Sequence, residues 1–237
     1  MRPESPVCPS LVAWGNAWLA GHVGLDEAAD HVEAAGGPAV AGDVPLRKYL
    51  ANLRVGGLTE LRLALPAPGD PLGLSGPATF NSAAVDVGQA AIAVLGDRNV
   101  GLVPGPDRRG SSYVGVRLEL HDSGPVRHDL PSLAEAEREL SDAIRSATEA
   151  LTSVDGPVQA RPNGGGRGGE LAPGYPARAH RVSALATRLA AVLRLTYERG
   201  LTSGQIAARD TALRELDRAV RRALVAAHHA IFEPVRS

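Results

Sequence analysis

Arg214, Arg218 and Arg222 recur every four residues near the end of the chain. On a helix that spacing places them in one line. Guanidinium groups stay charged and present a planar fork that fits carboxylates and phosphates. Such a line suits an acidic protein partner or a nucleic-acid backbone. Its plain alternative is a solvated face in an Arg-rich chain. No aromatic residue is interleaved with it, which leaves base stacking without support.

A second candidate is the stretch 66–81, PAPGDPLGLSGPATFN, with four prolines and three glycines. A loop this long is uncommon in a compact domain unless it has a purpose, and prolines restrict it to few shapes. Asp70, Ser75, Thr79 and Asn81 are its polar contacts, while Leu72, Leu74 and Phe80 give it apolar ones. It reads either as a loop packed over a sheet edge or as a preformed binding lip. Trp14 and Trp18, four apart, share one helix face. They read as core or as anchors for a partner, since Trp is enriched in binding hot spots.

Other chemistry finds little foothold. There is no phosphate-binding P-loop, no G-x-G-x-x-G between a strand and a helix, and no G-x-S-x-G elbow. The Gly-rich run 163–169 reads as a linker. Cys8 is the only cysteine, which excludes an intrachain disulfide and a multi-cysteine zinc site. His229 and Glu233 make half a metal site, and Gly21 and Gly24 interrupt the alignment of His22 with Asp26 and Asp30. No metal, no cofactor and no catalytic residue is expected.

The background composition tempers the arginines. Of 25 basic residues 24 are Arg, Lys48 being the exception, and aromatics are 3%. That is the style of a high-GC, actinobacterial genome. Apolar residues make up 44% of the 237, enough for a sizeable core of Leu, Val and Ala. Residues 1–160 carry 12 basic and 20 acidic side chains, net −8, and residues 161–237 carry 13 and 6, net +7. The two parts either dock on each other or differ in partner. No run of 18 apolar residues and no leader-like start is present, so a cytoplasmic protein without a membrane span is expected.

The elements that must position these residues follow from periodicity. Ser10 is the expected cap of a helix 11–22, followed by a helix 25–35 stopped by Gly36-Gly37. Asp43 is the expected cap of a helix 44–54, ended by Gly56-Gly57. Residues 59–65 alternate as a half-buried strand, and 84–95 fit strand or helix. Strands at 99–103 and 113–120 flank a polar turn at 104–112. Ser132 and Glu135 form a capping box for a helix reaching about 153. Residues 155–176 read as a flexible Gly/Pro linker. Helices 177–199, with the stripe Val182, Leu185, Leu189, Val192 and Leu193, and 205–232, opened by a cap at Thr202 and Gln205, complete the chain. In the last helix Ile206, Leu213, Leu216, Val220, Leu224, Ala227 and Ile231 share roughly one quarter of the wheel.

Helices first, then a small antiparallel sheet, then helices give an α+β fold. The expected division is a body at 1–125 and a helical part at 131–237. The leading functional reading is a non-enzymatic binding or adaptor protein working through protein–protein contacts or self-association. Nucleic-acid association through the Arg line is the first alternative. An enzyme with a site assembled around 66–81 is the second.

Overall fold

The computed structural model describes residues 7–108, 113–125, 130–152, 170–198 and 206–233. The first helix, α1 (Val7–Leu19), begins three residues before the expected Ser10 cap. Ser10 instead bonds the His31 carbonyl of the next helix at 3.2 Å. Apolar and small residues surround α1 on nearly all sides, so it is a core helix rather than an amphipathic one. α2 (Leu25–Gly36) follows, then β1 (Ala39–Ala41) and β2 (Val44–Pro45), which form a short antiparallel hairpin. α3 (Leu46–Val55) starts after Pro45 with no side-chain cap. The expected cap, Asp43, pairs with Arg117 at 2.8 Å instead, because residues 44–45 are taken up by the sheet.

β3 (Glu60–Ala64) is the alternating strand read from the sequence. The Pro/Gly stretch is irregular only through Pro77. Its last four residues open α4 (Ala78–Val87). Gly88, in the left-handed region at φ 79°, ends that helix and divides the ambiguous 84–95 segment into helix and strand. β4 (Ala90–Val94), β5 (Asn99–Asp107) and β6 (Gly115–Ser123) follow. β5 runs four residues into the expected 104–112 turn, through Pro104 and Pro106. Strands tolerate proline on an open edge, and β4 pairs with β5 only as far as Leu102.

The six strands lie in the order β2-β1-β6-β5-β4-β3. Neighbours are antiparallel except β1 and β6, which run parallel. One face, with Leu61, Leu63, Ala91, Ala93, Leu102, Val116 and Leu118, joins α1, α2 and α3 and the C-terminal helices in one hydrophobic core. The other face, with Ala64, Ala90, Ile92 and Val103, holds a smaller core under Phe80 and Ala84 of α4 and Leu74 of the loop. Gly101 makes room for Phe80, since a Cβ there would collide with the ring.

The C-terminal part consists of α5 (Leu133–Thr152), α6 (Ala177–Glu198) and α7 (Ile206–His229), with a 3₁₀ turn at Ala230–Phe232. The capping box of α5 forms as read: Glu135 accepts from the Ser132 N–H and hydroxyl at 2.9 and 2.8 Å. α7 lies against both α5 and α6. α6 uses Ala179, Val182, Ala186 and Leu193 against the core, which turns Leu185 of the expected stripe outward. Of the expected linker, residues 155–169 lie outside the described residues, as does the Thr202/Gln205 cap. Residues 170–176 are anchored by buried Leu171, Ala172 and Tyr175.

α7 also reaches the sheet. β3 is an edge strand, and an edge presents unpaired backbone groups. Here side chains complete it. Asn16 of α1 donates to the Leu61 carbonyl and accepts from the Leu61 N–H, both at 2.8 Å. His229 Nε2 accepts from the Leu63 N–H at 2.9 Å, and Arg221 donates to the Leu65 carbonyl at 2.8 Å.

Candidate functional site

The loop after β3 turns at once. Ala67 and Asp70 exchange N–H···O bonds at 2.9 Å around Pro68-Gly69, with Gly69 at φ 79°. Pro then Gly at the two central positions is the chemistry of a type II turn. The turn aims the Asp70 carboxylate at α7, where Arg221 donates to it at 2.9 Å and Arg218 lies 3.7 Å away. Arg221 also bonds Asp217 at 3.0 Å. With its bond to Leu65 it becomes the hub that straps the loop to the last helix. Its side chain is 14% exposed, against 62% for Arg218. Two features that the sequence keeps 151 residues apart are thus one surface.

The three arginines of the expected line divide by their surroundings. Arg222 bonds Glu139 of α5 at 2.9 Å. Arg218 shares a carboxylate that Arg221 already holds. Arg214 is exposed, and among the described residues it donates to the Thr211 hydroxyl at 3.3 Å. Arg178 of α6 pairs with Glu137 of α5, so the C-terminal positive charge is partly answered by α5.

The remaining candidates hold other posts. Asn81 exchanges two bonds with the Gly76 backbone, at 3.2 and 3.0 Å, and so closes the loop onto the start of α4. Thr79 is exposed on that helix. Ser75 sits with its carbonyl against Gly124, at the end of β6. Its buried hydroxyl has no hydrogen-bond partner among the described residues, nor do His121 Nε2 and Ser123 Oγ beside it on β6. The sequence offered no signal for this seam, because His121 and Ser123 are ordinary alternate positions of a strand. Trp14 is buried with its ring stacked on His31, centroids 3.4 Å apart. Trp18 is buried under the Arg54 guanidinium, 4.8 Å from the ring centre. Both rings contribute mainly to internal packing.

Burial sets the titration of the groups behind this surface. His228 is buried, its Nδ1 2.7 Å from the Leu224 carbonyl, and desolvation pulls it down to about 4. His229 is also pushed well below the histidine range, by desolvation first and then by the Arg62 and His228 charges. Both are neutral near pH 7, and His229 must be neutral to accept the Leu63 N–H. Burial raises the Cys8 thiol far above its ordinary range, so it is an inert core side chain. Among the described residues no group of three or more His, Cys, Asp or Glu is placed to hold a metal ion. No described helix is long and apolar enough to cross a membrane.

Two family models match consecutive parts of the chain. Residues 8–131 match the N-terminal domain of Rv1486c-like proteins, and residues 134–225 match the C-terminal domain. The chain belongs to the Rv1486c-like family. It is 30% identical over 187 residues to Rv1486c of Mycobacterium tuberculosis H37Rv, covering 62% of this chain and 65% of that protein. The same values hold for MT1533 of strain CDC 1551. The chain therefore spans just under two thirds of the length of these relatives. No solved structure matches it.

Proposed function

We propose that this member of the family is a non-enzymatic binding or adaptor protein of the cytoplasm, working through protein–protein contacts. Its binding surface is the face where loop 66–77 lies on α7, and the partner segment it receives is acidic. The observation that supports this is the imbalance around Asp70. Arg221 holds both Asp70 and Asp217, and a largely exposed Arg218 stands 3.7 Å from Asp70, with Arg214 one turn earlier. Those two guanidiniums keep most of their hydrogen-bonding capacity for a partner. Asn81 holds the loop's shape and Arg222 ties the helix to α5. An enzyme built around the loop is less favoured, because Asp70 and Asn81 are both engaged in holding that loop.

The test compares a Glu/Asp-rich peptide with a mixed-sequence DNA duplex, by fluorescence anisotropy on the full chain. Arg214→Gln with Arg218→Gln removes the exposed charge and leaves the Arg221 hub and the Arg222 pair intact. The peptide is expected to bind the wild type, with affinity and salt dependence both reduced in the variant. Duplex binding at physiological salt, with the salt slope falling by about one per lost contact, would put the nucleic-acid reading in its place. Binding of neither probe, or peptide binding that the variant leaves unchanged, removes the proposed surface.

A further inference from the structure

α3 leaves one edge of the sheet at β2 and the chain returns at the other edge in β3. It therefore crosses the four strands between. A ten-residue helix is about 15 Å long, and the strands beneath it twist while it stays straight. The two surfaces cannot stay in contact along the whole crossing. Leu46, Leu50 and Leu53 reach the core, and Gly56 rests near Leu95 of the β4–β5 turn. Between them, over β5 and β6, a cleft of about 780 Å³ remains. It is open to solvent along its outer side.

The lining of this cleft is unusual for a packing defect. Its apolar part is Val44, Leu53, Leu95, Val100 and Leu120. Leu120 is 45% exposed, one of five large hydrophobic residues left so among the described residues, and it stands inside a concavity. Around it are three charged side chains of both signs, Asp97, Arg98 and Asp122. Among the described residues none of the three forms an ion pair or side-chain hydrogen bond. Tyr49 closes the α3 side, and desolvation raises its hydroxyl while the Arg98 charge opposes the rise. The phenol and the guanidinium thus share one wall of an open cleft.

An apolar floor with unpaired charges of opposite sign on its rim is complementary to an apolar zwitterion. A fatty carboxylate would satisfy Arg98 and leave both carboxylates unanswered. A simple amine would do the reverse. We propose that the cleft binds a short apolar peptide with free termini. Its carboxylate lies on Arg98, its ammonium between Asp97 and Asp122, and its side chains on Leu53, Val100 and Leu120. This site is separate from the α7 surface and does not depend on it.

The experiment is isothermal titration of the full chain with the dipeptide Leu-Leu, its N-acetyl form and its C-terminal amide. Saturable binding of the free dipeptide is expected. Losing one charge-assisted hydrogen bond should weaken each blocked form by about tenfold or more. Arg98→Gln should abolish the preference over the amide. Asp97→Asn with Asp122→Asn should abolish the preference over the acetyl form. All three side chains are exposed, so the melting temperatures of these variants should stay near the wild type. Absence of binding at millimolar dipeptide overturns the proposal. So does an amide or acetyl form that binds as well as the free dipeptide, or 4-methylpentanoate matching it. These comparisons are made on the wild type and hold whatever the variants do.

Discussion

Asn16 carries more of the fold than its single amide suggests. It is fully buried in α1, and its side chain makes two 2.8 Å bonds with one residue of the edge strand β3. The Tyr175 hydroxyl donates to the His228 carbonyl at 3.0 Å, and the nearby Asn16 side chain opposes the desolvation that raises that hydroxyl. Replacing Asn16 by Leu keeps the branched shape in a somewhat larger side chain and removes every polar contact. The Leu61 N–H and carbonyl are then left in an apolar interior, where each unsatisfied group costs about 1–3 kcal/mol. The expected loss is roughly 2–5 kcal/mol, out of a total stability on the order of 5–15 kcal/mol. For a chain of this size that lowers the melting temperature by roughly 4–20 °C. Urea titration followed by tryptophan fluorescence measures it, and an unchanged slope shows that the change lies in stability rather than compactness. Asn16→Asp keeps the acceptor for the Leu61 N–H but loses the donor, and should lose stability too. A loss below about 1 kcal/mol in Asn16→Leu would refute the edge-completion argument, since the backbone groups would then have found other partners.

Acid should destabilise the protein through its histidine pair. Both groups have folded values below the unfolded value of about 6.5, so the unfolded chain takes up their protons first. Stability should be full above about pH 6.5 and fall as the pH drops toward 4; denaturation at pH 7 and pH 5 measures the slope, and His228→Phe should flatten it. Asp70→Asn should release the loop from Arg221, at roughly 1–3 kcal/mol for a partly buried charged bond, and speed proteolysis within 66–77 relative to the wild type. Gly101→Ala should collide with Phe80 and cost about 1–3 kcal/mol, and Gly101→Ala combined with Phe80→Leu should recover part of the loss.

Local patterns were read well where one residue type decides one conformation. The alternation in β3 and β6, the Ser132/Glu135 box and the Gly-terminated α2 and α3 all form at their expected places within a few residues. The errors came where a distant element claimed the residue. Ser10 and Asp43 are good caps by type, but α1 extends past one and the other answers Arg117. The Arg spacing correctly put three guanidiniums on α7. It could not reveal that Arg221, off the chosen line, would be the hub, because the carboxylate that selects it lies about 150 residues away.

Composition, periodicity and turn chemistry by themselves determined the α+β class, the helical end of the chain and most element types, since these depend on residues within one or two turns of each other. Only the tertiary structure decided that β1 would join β6 in parallel, that α3 would span the sheet and leave a cleft, and that Asn16, His229 and Arg221 would complete one edge strand. Those outcomes rest on which surfaces meet. Meeting is set by burial of the whole core and by satisfaction of every buried backbone group, which no local window of sequence contains.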